Sequence, residues 1–423
     1  MTGWTTGGSM ATGHVRFGSL RVLAVMTLVT MMTGIGAVAL LPSSAGASSG
    51  YPPIPQGPIT FEVSADLSGA AAAYGQTTKA AFENVTLQAF NASHPGGVDG
   101  HRLIIKLQND ASDVTGAVQA ADQMVADKAA GVVTVSQSPA AQSQQLAVLT
   151  KAKVPVVSTL TGSQYADTSK YPYAFSPGGS VQQEGVVAGK WMGTKGVKRV
   201  AILTDGLPQD TDAVNQIQAG MKRFAPGAKV VQSVTIPSGS VDDSAAISKA
   251  KAANPDLLVV YLGVGFGPVW QAMQSANWSP TILSSAGAWY DGFDAMGALT
   301  AKAYAPYVDC ASSPSQTFTP EQQDLFAKYS AVTGAASTNY LTYIASDSVP
   351  VEIMAAAIEK YHSTDPNAIK KAIEGMGHRT FIGIDYDYSP TNHFGLTGQY
   401  GPAVCAMGPP YAGGVGKVPI KQP

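Results

Sequence analysis

The sequence predicts an α/β protein made of two doubly wound parallel-sheet lobes with a cleft between them. Three observations carry this. Short, almost wholly apolar strands alternate with helical segments, the pattern of a parallel sheet covered on both faces. The rhythm breaks once, near YPYAFSPGGS (171–180), and then starts again. The chain has 423 residues, 45% of them hydrophobic and only 13% charged, which is ample for two cores.

The elements follow in order. ITFEVSA (59–65) is a β-rich run, and helix signals extend from Gln76 to about Phe90. RLIIKLQND (102–110) is the next strand. From Asp113 to Ala130, Val114, Ala117, Val118, Ala121, Met124 and Val125 recur at three and four residues and form one apolar helical face. GVVTVS (131–136) and VPVVSTL (154–160) are strands flanking a helix at 140–152. After the break, VKRVAILTD (197–205), AKVVQSVTI (228–236), DLLVVYLG (256–263) and TILSS (281–285) are strands. Helices at 210–224, 241–253 and 268–276 separate them. YAPYVDC (304–310), a helix-rich stretch at 320–376, a β-rich part from Phe381 and an irregular Gly/Pro tail at 406–423 complete the chain.

The first 47 residues read as an address. They hold no acid, carry Arg16 and Arg21, run apolar from Val22 to Leu41 and end on Ala45-Gly46-Ala47, the pattern of a cleaved secretory signal peptide. The alternative is an uncleaved anchor, since a run of this length can just span a bilayer. No cysteine stands near the site, so a lipid-modified N-terminal Cys is not expected. Residues 48–57 form a Pro/Gly/Ser leader without a core pattern. In an exported chain, which here means the periplasm or the extracellular, cell-surface side, Cys310 and Cys405 are expected to form one disulfide. The alternative is two buried thiols.

The formal charge of −2 argues against a nucleic-acid partner. Two cysteines and six scattered histidines hold no metal spacing; Asp385, Asp387 and His393 read as part of a β-turn. The single GxSxG, at 46–50, straddles the cleavage site and lacks the strand–turn–helix that a nucleophile elbow needs. GVGFGP (263–268) places Pro268 where a dinucleotide loop needs its third glycine, so it reads as a tight strand-to-helix turn. No catalytic residue, metal or cofactor is expected. What remains is a set of hydroxyls at strand ends (Ser136, Ser138, Ser158, Thr161, Thr204, Ser284, Ser285) and aromatics (Tyr74, Phe266, Trp289, Tyr290). Each hydroxyl alone reads as a helix cap. Together with the aromatics they suit a cleft that binds a small ligand.

Four ordered stretches carry a family resemblance: LSGAAAAYGQ (67–76); Asn91 followed by GGVDGHRL (96–103); NDASD (109–113); and VPVVS (154–158). With these the chain resembles type I periplasmic solute-binding proteins of the branched-chain amino-acid class, over nearly all of the chain after the leader. The resemblance implies a three-crossover hinge, with crossings near 174–180, 304–310 and 378–386. The lobes then comprise 58–175 with 311–379, and 176–310 with 380–423. It implies a non-enzymatic monomer that closes on a small molecule and offers it to an ABC permease in the membrane; a sensor or adaptor of the same fold is the alternative. Tyr74 matches the aromatic that packs on the ligand. Ser136 and Ser138 match one loop that holds a ligand carboxylate, and Thr161 a second. Gln209 replaces the usual aromatic of the second lobe and Phe266 fits another aromatic site, while Trp289 is expected at the cleft only as one of the aromatics named above. The acid that pairs with an amino-acid ammonium should fall near 285–287, where this chain has Ala286. A buried ammonium without a counter-charge is costly. The ligand is therefore expected to be a small carboxylate or an apolar or aromatic compound, unless Asp291 or Asp205 substitutes.

Overall fold

A computed structural model describes residues 50–69, 72–136, 138–160, 162–237, 239–263, 265–285, 287–290, 293–308, 319–333, 344–397 and 402–407. The expected signal peptide, Thr161, Ala286, Asp291, Cys310 and residues 408–423 of the tail lie outside these.

Two sheets are built in succession. The first comprises β1 (Ile59–Ala65), β2 (Leu103–Asn109), β3 (Gly131–Thr134), β4 (Val156–Val157) and β5 (Ala174–Phe175), in the order β2-β1-β3-β4-β5, all parallel. Its connections carry α1 (Ala72–Ala81), continued through a π-turn into α2 (Leu87–Ser93), then α3 (Val114–Ala126) and α4 (Pro139–Lys151). The second sheet comprises β6 (Arg199–Thr204), β7 (Lys229–Thr235), β8 (Leu257–Tyr261), β9 (Thr281–Ser284) and β10 (Ala303–Val308). It is laced by α5 (Val181–Lys195), α6 (Pro208–Phe224), α7 (Ser244–Ala252), α8 (Phe266–Ser275), and the short α9 (Gly287–Tyr290) and α10 (Phe293–Met296). The chain then returns to the first lobe as α11 (Pro320–Thr333), α12 (Val349–Tyr361), α13 (Pro366–Glu374) and a hairpin of β11 (Gly377–Phe381) and β12 (Ile384–Tyr388). Finally β13 (Pro402–Ala406) joins the second sheet antiparallel to β10, giving the order β13-β10-β9-β8-β6-β7.

Period-two alternation explains why the central strands read as unbroken apolar runs. In β8, Leu258 and Val260 enter one core with Phe266, Trp270 and Met273. Leu257, Val259 and Tyr261 enter another with Trp191, Ile217 and Met221. The first sheet is covered likewise: Val133, Val157 and Phe175 face one core, and Val132, Val156 and Ala174 the other.

Three observations change the sequence reading. A helix, α5, occupies 181–195, where the break in rhythm gave none. The leader is docked rather than loose: Ile54 packs against the first core, the Tyr51 ring lies 5.4 Å from that of Tyr361, and Ser363 Oγ donates to the Pro52 carbonyl. The third crossing falls between Leu396 and Pro402, not at 378–386. Phe381, Ile384, Tyr386, Tyr388 and Leu396 are all buried in the first core, so the hairpin stays with that lobe, and the expected boundary at 379/380 falls inside β11. The chain passes from the first core to the second between Phe175 and Val181, and leaves the second sheet between Val308 and Pro320.

Candidate ligand-binding site

The carboxyl ends of both sheets turn toward one cavity of about 340 Å³. The first lobe lines it with Ser138, Ala140, Gln142 and Ser143 from the start of α4, and with Gly162, Gln164 and Tyr165 after β4. The second lobe supplies Leu207, Pro208, Gln209 and Asp212 from the start of α6.

Buried hydrogen bonds fix the first wall. Ser136 N–H donates to Gln145 Oε1 (2.8 Å), Gln145 Nε2 donates to Ser64 Oγ (3.0 Å), and Ser64 Oγ donates to Asp110 Oδ2 (2.6 Å). This relay ties the β3–α4 turn to the ends of β1 and β2. Gln142 Nε2 donates back to the Ser136 carbonyl, and Ser136 Oγ accepts the Ser138 N–H. Pro139 then opens α4, its missing N–H matching a position that needs none.

The second wall is fixed by Asp205. One oxygen accepts the Leu207 N–H at 2.9 Å and the other the Gly263 N–H at 2.8 Å. Both oxygens are thus engaged by backbone amides, and Asp205 does not line the cavity. Pro208 opens α6. Behind this wall, burial and the charge of Asp205 raise the Asp210 carboxyl to about 7. Burial, then the charge of Asp210, raises Glu184 to about 8, against the pull of the Tyr261 hydroxyl. Among the described residues Asp212 is the one charged side chain lining the cavity. Its two oxygens accept the Ser163 N–H (2.8 Å) and the Ser163 Oγ–H (2.9 Å) from the opposite lobe.

The expected residues divide as follows. Ser138 and Gln209 line the cavity. Ser136 lies behind it, 1% exposed and held in the relay. Tyr74 is placed on α1 and Trp289 on α9. Phe266 is fully buried in the second core, its ring 5.9 Å from that of Trp270, and does not line the cavity. Gly265 adopts φ +88 just before α8, a conformation that favours glycine. Among the described residues no group of His, Cys, Asp or Glu could hold a metal ion. His393 is buried against the Ala174 carbonyl and Glu374. The residues missed are Gln142, Ser143, Gln164, Tyr165, Leu207 and Asp212. Asp212 had a signal: it follows Gln209 by three, on the same face of α6.

The family profile of periplasmic binding proteins matches residues 58–400. A Leu/Ile/Val-binding protein homologue (homolog 3) of Brucella melitensis is 25% identical over 351 residues, covering 82% of this chain and 91% of its own. A type 1 periplasmic binding protein structure from Bordetella pertussis superposes with a TM-score of 0.71 at 20% identity, over 86% of this chain and all of its own. A solute-binding protein of an ABC transporter from Rhodopseudomonas palustris, solved with p-hydroxybenzoic acid, gives 0.68 at 19%, over 84% and 94% of the two chains. Among the described residues no helix is long and apolar enough to cross a membrane. With two largely parallel sheets, a cavity between them and a family match over most of its length, the chain belongs to the periplasmic binding protein family, as a type I solute-binding protein and not an enzyme.

Proposed function

We propose that the protein captures a small organic carboxylate, aromatic in its body, between its two lobes and delivers it unaltered to an ABC permease. One observation carries the reading. Two helices, α4 and α6, begin at the cavity, and among the described residues no side chain caps their first amides. Unsatisfied N–H groups and the positive ends of two helix dipoles favour an anion there. Around them the lining is hydroxyls, amides, Leu207 and the Tyr165 ring. The two acids of this wall already hold other partners: both oxygens of Asp205 accept from backbone amides, and those of Asp212 accept from Ser163. The p-hydroxybenzoic acid bound by the Rhodopseudomonas relative has this chemistry.

Titration calorimetry with 4-hydroxybenzoate, benzoate and leucine tests the ligand class. Hydroxybenzoate is expected to bind in the micromolar range, with leucine at least a hundredfold weaker. Tight leucine binding with no response to the benzoates overturns it. Delivery is tested by uptake of the labelled ligand into cells that carry the permease, with and without this protein.

We also infer that Cys405, on β13, is bonded to Cys310. Cys405 is 1% exposed and is not a free thiol, and β10, its antiparallel partner strand, ends two residues before Cys310. Thiol titration of the denatured, unreduced chain should find none; two reactive thiols would refute the bond.

A further inference from the structure

We propose that Asp212 and Ser163 form a latch that holds the cleft shut before any ligand arrives. This rests on the hinged-capture reading above and names the residues that set its resting state. Ser163 follows β4 in the first lobe, and Asp212 is the fifth residue of α6 in the second. They meet across the cavity rim by two hydrogen bonds, one to each carboxylate oxygen, at 2.8 and 2.9 Å. Gln216, one turn further along α6, donates to Asp212 Oδ1 at 3.3 Å and orients the group. Both bonds are charge-assisted, and both residues of the pair are partly shielded from water.

The consequence is energetic. A ligand shifts the open–closed balance only by what it adds in the closed form. A contact made by the protein alone raises the closed fraction in advance, and apparent affinity scales with that fraction. Asp212 is thus a positioning residue. Ser163 does not line the cavity, so loss of its hydroxyl should weaken every ligand by one common factor, leaving the ratio between ligands unchanged, whereas loss of a ligand-contacting group changes the ratio.

The test needs no ligand. Spin labels on Ala147→Cys and Asn215→Cys, exposed positions on α4 and α6, report the width of the mouth by pulsed EPR in ligand-stripped protein. The native chain should show a dominant short distance. Asp212→Ala should raise the open-to-closed ratio about tenfold, in line with hydrogen bonds to a charged acceptor. Ser163→Ala, which removes only the hydroxyl donor, should fall between, and its distance distribution decides the question if Asp212→Ala does not fold. An open native cleft, or an unchanged distance distribution in both variants, overturns the latch. Calorimetry with hydroxybenzoate is a separate arm: ligand capture can hold while the latch fails, and the latch can hold while that ligand is wrong.

Discussion

Gly189→Ala gives the sharpest test of how the second lobe is packed. Helices α5 and α6 run parallel and in register through a stripe of close contacts. A Cβ on Gly185 would meet the Gln216 carbonyl oxygen at 2.3 Å, one on Gly189 the Gly220 carbonyl carbon at 2.2 Å, and one on Gly193 the Phe224 carbonyl oxygen at 2.3 Å. These are backbone atoms, so no rotamer relieves the clash and the helices must part. Helix propensity alone predicts a gain of up to about 1 kcal/mol for Gly→Ala. Parting α5 from α6 loosens Val187, Ala188, Trp191, Ala213, Val214 and Ile217, all buried there. Overpacking of this kind costs about 1–3 kcal/mol, so the net expectation is a loss of about 1 kcal/mol, a fall in Tm of about 2 °C. Gly267, in the first turn of α8, is the control. A Cβ there meets nothing within 4 Å, so Gly267→Ala should be neutral or mildly stabilising. The assay is thermal and guanidinium unfolding followed by circular dichroism and by tryptophan fluorescence, to which Trp191 of α5 contributes. If Gly189→Ala unfolds no earlier than the native chain, the close-approach reasoning is wrong.

Further predictions concern pH, the core and the relay. Glu184 is raised to about 8, and Asp66, Asp210, Asp347 and Glu352 to about 7, chiefly by burial. The folded chain therefore holds protons that the unfolded chain releases, and this stability, complete below the ordinary carboxylate range, is lost as pH rises through 7 to 8. Tm should fall between pH 5 and 8.5, and Glu184→Gln should raise it at pH 8 but not at pH 5; a flat profile, or an equal effect at both, counts against this. Burial lowers His393 instead, which costs stability as pH falls below about 6.5, where the unfolded ring gains its proton first. Phe266→Ala should destabilise by about 3–5 kcal/mol while ligand preference, read by calorimetry, stays the same; altered selectivity at unchanged stability would return Phe266 to the site. Ser64→Ala leaves Asp110 and Gln145 short of a partner and should cost about 1–3 kcal/mol by denaturant titration.

The alternation of strands and helices was legible because parallel strands buried on both faces spell plain apolar runs such as Leu257–Tyr261. Helix α5 was not, since the glycines that let it approach α6 also lower its helix propensity. The hairpin's allegiance was hidden for a different reason. IDYDY alternates as any half-buried strand does. What holds it to the first lobe is tertiary: Tyr388 Oη donates to the Ser176 carbonyl at 3.0 Å, and Gly395 lies so close to the Tyr388 ring that a Cβ would stand 2.4 Å from it. Of the cavity lining, Ser138 was legible as a strand-end hydroxyl and Gln209 only through the family resemblance. Phe266 misled because an aromatic opening a helix looks alike whether it faces a cleft or a core. Tyr165 carried no local mark, and the partnership of Asp212 with Ser163 joins residues 49 apart on different lobes.

The first crossing of the chain has a mechanical consequence. Ser176, at its start, donates its N–H to the His393 carbonyl and accepts at its own carbonyl from the Gly395 N–H and Tyr388 Oη, so this strap is braced against the returning chain. Order of this kind is built in when the chain folds, and any later binding event need not supply it again.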